Sequence, residues 1–200
     1  MVSIKELKCL FILATILGSL LIASPIIAPF FPYHSHVRFS EFIILGSTHS
    51  LTNHPFHIKV DEEYTTYLVI SNHEGSSAYY KVLAKIRTEA EPAPDPQTAT
   101  PSPLQSFAEN AVLLGHGETW EKALILRFPS FELQDDQISV SELILNGQTI
   151  ELEKTFQYNS ETEGYSAWLF FELWIYDSSA ASFKYHNRFV SFQLNLTGTS

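Results

Sequence analysis

From Val37 to the C-terminus the chain keeps a two-residue rhythm of apolar and polar side chains, which narrows its fold more than any other feature. Successive side chains of an extended strand point to opposite faces, so alternation marks a strand with one dry and one wet face. Candidate strands run Val37–Leu45, His57–Val60, Thr65–Asn72, Tyr79–Arg87, Val112–Leu114, Glu121–Phe128, Ser139–Leu145, Thr149–Phe156, Ser166–Tyr176 and Arg188–Leu196. In Tyr79–Arg87, Tyr80, Val82, Ala84 and Ile86 point inward, and Lys81, Lys85 and Arg87 point to water. In the last strand Val190, Phe192, Leu194 and Leu196 share the dry face, opposite Ser191, Gln193 and Asn195. Asn146-Gly147 sits between two such runs and predicts a type I′ hairpin, whose two central positions need positive φ. Many short, half-wet strands imply an all-β protein, an antiparallel β-sandwich.

Two segments break the rhythm. Residues 88–103 read TEAEPAPDPQTATPSP and hold no large apolar side chain. Such a stretch buries too little to order itself and is expected to be a polyproline-like or disordered loop within one domain. Leu104–Asn110 is expected to form a short helical turn started by Pro103, with Leu104, Phe107 and Ala108 on one face.

The N-terminus has another character. Cys9–Phe31 contains no charged residue and follows Lys5, Glu6 and Lys8. A helix over that run approaches the ~30 Å bilayer core. The expected organisation is a cytoplasmic segment at 1–8, a transmembrane signal-anchor at 9–31 and an extracellular domain at 32–200. A cleaved signal peptide is the alternative, but the sites after Ser24 and Ala28 are poor, each with isoleucine upstream and proline next. The only cysteine is Cys9, so no intramolecular disulfide is available and the domain must rely on its core. A formal net charge of −10 argues against nucleic acid and against docking on anionic lipid.

Several blocks together resemble a mainly archaeal membrane family, domain of unknown function 1616. They are Phe39-Ser-Glu-Phe-Ile-Ile-Leu-Gly46, Tyr67-Leu-Val-Ile-Ser-Asn-His-Glu-Gly75, Gly115-His-Gly-Glu-Thr-Trp-Glu121, Leu169–Tyr176 and Phe192–Leu196. The resemblance spans Val37 to Leu196 and implies an extracytoplasmic, immunoglobulin-like domain. It implies no activity. The single membrane segment and the Pro-rich stretch depart from the family's pattern.

Chemistry-bearing residues are sparse. There is no G-x-S-x-G, S-x-x-K, H-E-x-x-H or P-loop pattern. His34, His36, His54 and His57 are the candidate metal ligands, since imidazole suits copper or zinc, but they match no recognised zinc spacing. His73-Glu74 is either acid/base machinery or part of a backbone-capping turn. Asn195-Leu-Thr197 is a glycosylation sequon, with Asn195 on the wet face. Trp168, Phe170, Glu172, Trp174 and Tyr176 line one face of their strand, with Leu169, Phe171, Leu173 and Ile175 on the other. Trp168, Phe170, Trp174 and Tyr176 are therefore the candidate binding face, unless a second layer covers them. The expected function is non-catalytic binding, adhesion or assembly at the cell envelope, with a protein or glycan partner and no cofactor. A metal-handling protein and an envelope-processing enzyme are the alternatives.

Overall fold

The computed structural model describes residues 8, 10–19 and 38–197, in two units divided after Val37. In the first unit residues 10–19 are helical, with Leu10, Phe11, Ile12, Leu13, Ile16 and Leu17 exposed. Thr15 and Ser19 return their hydroxyl protons to the carbonyls of Phe11 and Thr15, so the helix offers few unsatisfied polar groups. Among the described residues no helix is long and apolar enough to cross a membrane. Most of the expected anchor, with Cys9, His34 and His36, lies outside the described residues.

The second unit is all-β. Its strands are β1 (Phe39–Leu45), β2 (His57–Ile58), β3 (Glu63–His73), β4 (Ala78–Arg87), β5 (Ala108–Leu114), β6 (Thr119–Arg127), β7 (Glu132–Gln134), β8 (Gln137–Leu145), β9 (Gln148–Asn159), β10 (Gly164–Asp177) and β11 (Ser182–Leu196). The hydrogen-bonded path runs β1-β3-β6-β8-β9-β10-β11-β2. From it β4 and then β5 branch off β10, and β7 lies on β8. All pairs are antiparallel except β11 with β2.

Strand β9 makes the sheet curl. Its residues Gln148–Gln157 pair with β8, and Tyr158 and Asn159 pair with β10. One strand thus serves two half-sheets, which close on a common core. Phe42, Ile70, Leu124, Leu143 and Phe156 from one half join Tyr80, Ile86, Leu169, Phe171 and Leu194 from the other in one buried cluster. Burying a side chain of this size contributes about 1.5–3 kcal/mol, which is how the fold stands without a disulfide.

Each expected strand is present, although β1 starts at Phe39 and Val37 lies outside the described residues. Asn146 and Gly147 have φ of 50° and 78°, as a type I′ turn requires. Asn146 also caps β6: its Oδ1 accepts from Ile125 N–H and its Nδ2 donates to the Ala123 carbonyl. Strand β7 was not anticipated, because three exposed residues carry no period. The expected helical turn at Leu104–Asn110 is absent. Ala108–Leu114 instead pairs with β4 along its whole length, and Phe107 N–H donates to the Ala84 carbonyl. Pairing with β4 satisfies backbone groups along one edge of this segment, where a one-turn helix would satisfy fewer.

Candidate functional site

The outer face of the β5-β4-β10-β11 half-sheet can be built row by row from its register. Leu113 faces Tyr79 and Tyr176 faces Phe183, and the Tyr79 and Tyr176 rings lie 6.3 Å apart. These four residues form one apolar row across four strands. The next row holds Ala111, Lys81, Trp174 and Tyr185, and the one after it Glu109, Leu83, Glu172 and Phe189. Lys85 with Phe170, then Arg87 with Trp168, complete the face.

The Pro-rich segment covers much of this face, contrary to the expectation that it would not order. It is tied down by polar contacts together with the burial of Pro94. Ser102 N–H donates to Glu172 Oε1 (2.7 Å), and Lys85 Nζ donates to the Ser102 carbonyl (2.7 Å) and to Glu172 Oε2 (2.9 Å). Trp174 Nε1 also donates to Glu172 Oε2, at 3.2 Å. Lys85 and Glu172 form an ion pair with side-chain exposures of 5% and 0%. The Arg87 guanidinium holds the carbonyls of Thr88, Glu89 and Glu91 while its carbon stands 5.2 Å over the Trp168 ring. An Asp95–Thr100 bridge closes the tip. Beside the ion pair, burial pushes the Tyr185 phenol up to about 12, with the Glu172 and Asp95 carboxylates adding to the effect.

Two expectations about this face are corrected. Lys85 points outward by parity, yet it is buried under the loop and not wet. Trp168, Phe170, Trp174 and Tyr176 do not make one exposed strip, because Phe170 is 1% exposed and Trp168 and Trp174 are half-buried. What stays open is the Tyr176 end. There Tyr79 and Tyr176 are each 41% exposed and Leu113 is 66% exposed. Phe183 stands 5.1 Å from Tyr79 and 5.4 Å from Tyr176, with the Lys81 ammonium 4.6 Å from its ring centroid. Tyr79, Leu113 and Phe183 escaped the sequence reading because only the pairing register aligns three separate strands.

A second polar cluster joins the half-sheets at the end of β3. Ser40 Oγ donates to Glu74 Oε1 (2.7 Å) and lies 2.7 Å from Tyr80 Oη and 2.9 Å from His186 Nε2. His186 Nε2 is also 3.3 Å from Glu74 Oε1. His186 and Asn187 are the extra residues of β11 where its register with β10 shifts at Leu173/Trp174. In a nucleophile relay the acid holds one imidazole nitrogen and the nucleophile the other. Here serine and carboxylate share a single nitrogen, and Ser40 is fully buried. Burial holds the His186 imidazole below its ordinary value, against the opposing pull of Glu74. The arrangement is a clamp between half-sheets. His73 stacks on Phe39 with centroids 4.7 Å apart, and the neighbouring Asn72 supplies the backbone capping.

The remaining candidates are placed separately. His54 stacks on Phe192, while His57 lies exposed on β2. Among the described residues no three His, Cys, Asp or Glu side chains converge as a metal site. Asn195 is not on a wet surface. It is 1% exposed, and its Nδ2 donates to the Thr162 carbonyl at 2.8 Å. The Gly164 backbone packs so closely on its carboxamide that a Cβ there would overlap it. The nitrogen that a glycan would need is therefore occupied. Peptide mass spectrometry of the protein expressed in a glycosylating host is expected to find Asn195 unmodified, and stoichiometric glycan there would contradict this packing.

No family model matches the chain, and no curated protein matches it. Among solved structures, the chain is similar to one in the complex of Zinc 2-glycoprotein with prolactin inducible protein from human seminal plasma. The identity is 6% and the TM-score 0.40, over 82% of this chain and 99% of that one. It is also similar to a β-glucosidase from Listeria innocua in complex with glucose, at 12% identity and a TM-score of 0.32, over 80% of this chain and 16% of that one.

Proposed function

We propose that the chain is a membrane-anchored, extracytoplasmic module of immunoglobulin-like build that binds a protein partner at the cell envelope and catalyses nothing. The observation that carries this reading is the Leu113–Tyr79–Tyr176–Phe183 row, left open by a loop that covers much of the same face. The row ends at β5, whose far edge pairs with no strand among the described residues. An unpaired edge offers a line of N–H and C=O groups to an added strand. A partner segment laid along Ala108–Leu114 would gain those bonds and prolong the apolar row with its own side chains. In the Ser40–His186–Glu74 cluster the serine is fully buried, which favours binding over catalysis. Kinship with the 1616 family is part of the same reading. Its Asn72–Gly75 and Gly115–Glu118 blocks meet in space, where Asn72 N–H donates to the Glu118 carbonyl and Gly75 N–H to His116 Nδ1.

The test uses the full-length chain in its own membranes. Protease added to intact cells is expected to degrade the β domain, and survival of the domain until lysis would reverse the orientation. A photocrosslinking residue at Ala111 is expected to trap a discrete partner, and Leu113→Asp with Tyr79→Asp to abolish that adduct. Leu113→Asp should alter stability by about 0.5 kcal/mol, and Tyr79→Asp, which also gives up its ring contacts with Phe183 and Tyr176, by about 1–2 kcal/mol. An adduct pattern identical with and without the two aspartates would defeat the proposed surface.

A further inference from the structure

The Pro-rich segment closes over β4 and β10 by an arrangement that costs the closed state in three ways. The first is how little of the segment is buried. Among residues 88–103 only Pro94 and Ser102 are buried, and the tip from Asp95 to Thr100 is exposed throughout. Apolar burial, the main holding force elsewhere in the fold, is therefore small here. The second is the fastener itself. Ser102 N–H donates to Glu172 Oε1 and the Ser102 carbonyl accepts from Lys85 Nζ, so the segment is pinned to an ion pair that it shuts away from water. The attraction within a buried pair repays its lost hydration only in part. Lifting Ser102 returns water to both ions, which offsets much of what the two bonds contribute.

The third is an orphaned hydroxyl. The Tyr185 ring lies 6.0 Å from that of Trp174, and its Oη is closed off from water with no hydrogen-bond partner among the described residues. Burial, together with the carboxylates of Glu172 and Asp95, raises this phenol, which places it close to the segment's tip. A buried hydroxyl without a partner is a cost that release of the segment removes. We propose that the Pro-rich segment is a releasable strap, which opens while the sheet stays folded and adds Phe170 and Trp174 to the exposed aromatic surface.

The two ends of the strap are held separately from its middle. At one end Arg87 holds the carbonyls of Thr88, Glu89 and Glu91, and Lys154 pairs with Glu91. At the other Phe107 N–H donates to the Ala84 carbonyl. The part that moves runs from Pro92 to Pro103. Its prolines limit the freedom gained on release, so the open strap remains close to its closed shape. Trp174 stands two residues from Tyr176 on the same face of β10, so the uncovered surface continues the Leu113–Tyr79–Tyr176–Phe183 row. The value of this for binding rests on the reading of that row as a partner surface; the opening itself does not.

Hydrogen exchange of the full-length chain in detergent micelles, followed by NMR, tests the strap with no partner present. The reporters are Ser102 N–H and the Trp174 indole N–H, both of which donate to Glu172. They are expected to exchange together, about 100-fold faster than the amides of Leu169 and Phe171 in the middle of β10, and with little dependence on urea. Tyr185→Phe removes the orphaned hydroxyl and should slow both reporters about tenfold. Pro94→Gly removes the buried ring and frees the open strap, and should speed them about tenfold. The Leu169 and Phe171 amides of each variant show whether the sheet itself has changed. Exchange of Ser102 and Trp174 at the rate and urea dependence of Leu169 overturns the proposal, because the segment then leaves only when the domain unfolds. So does a Tyr185→Phe chain whose reporters exchange as fast as the parent's. A missing Ala111 adduct would defeat the binding surface and not the strap, and exchange only by global unfolding would defeat the strap and not the surface.

Discussion

Glu172→Met, made alone, is expected to destabilise the chain by about 3–5 kcal/mol, because it strands the Lys85 ammonium in a site with 5% exposure. The same change removes the acceptor of Ser102 N–H and of Trp174 Nε1. The loop from residue 88 to 103 should then lift from the sheet and become open to proteolysis. Lys85→Met should cost a similar amount, since it leaves the carboxylate buried without its cation. The double variant separates charge from anchoring. Replacing both members of a buried pair by apolar side chains is often close to neutral. Here the Ser102 N–H and carbonyl would still lose their partners, at about 1–3 kcal/mol per unsatisfied group. The double variant should therefore recover part of the loss in urea unfolding, yet keep the exposed loop in limited proteolysis. A Glu172→Met chain as stable as the parent, with a loop equally resistant to protease, would mean that the pair does not hold the loop.

The loop also shows where the sequence was readable and where it was not. Alternation located the strands, because which face a side chain takes depends only on its place in the strand. It predicted that Phe192, Leu194 and Leu196 point inward, and they are buried. What covers the opposite face is a tertiary fact that no period encodes. Lys85, Phe170 and Asn195 all point outward by parity and are all buried, the first two beneath the Pro-rich loop and the third beside Gly164. Composition misjudged residues 88–103 for a related reason. Their order comes largely from hydrogen bonds to a charged pair that lies in two other strands, with Pro94 alone of their apolar side chains buried. One local sign of this existed: Glu172 is a lone carboxylate on an otherwise aromatic strand face, and buried carboxylates come paired. The aromatic row needed register as well as period, so Tyr176 was legible while Leu113, Tyr79 and Phe183 were not.

The second large effect is expected at Asn72, in the strand end that also carries the family resemblance. Its side chain is fully buried and fills all its hydrogen-bonding capacity. The two N–H groups of Nδ2 are shared among the carbonyls of Ser76 (2.9 Å), Leu114 (2.9 Å) and Gly115 (3.1 Å). Oδ1 accepts from Glu74 N–H (2.9 Å) and from Tyr80 Oη (3.2 Å). One carboxamide therefore joins the end of β3 to the turn before β4, to the end of β5 and to the clamp around Ser40. Asn72→Ala leaves these groups without partners in a dry site, and a loss of about 4 kcal/mol is expected, less than a simple sum because the neighbouring turns relax. Asn72→Asp is the sharper probe. It is isosteric and keeps the acceptor for Glu74 and Tyr80, but it turns the donor into a second acceptor aimed at three carbonyl oxygens. Repulsion then adds to lost bonding, so the aspartate should be at least as destabilising as alanine at neutral pH. It should regain stability as acid protonates the new carboxyl and restores a donor. Chemical unfolding of the two variants between neutral and mildly acidic pH makes the comparison. If aspartate were well tolerated at neutral pH, the three carbonyls would have to be satisfied by some other donor, and Asn72 would not be what ties the two half-sheets together at this end.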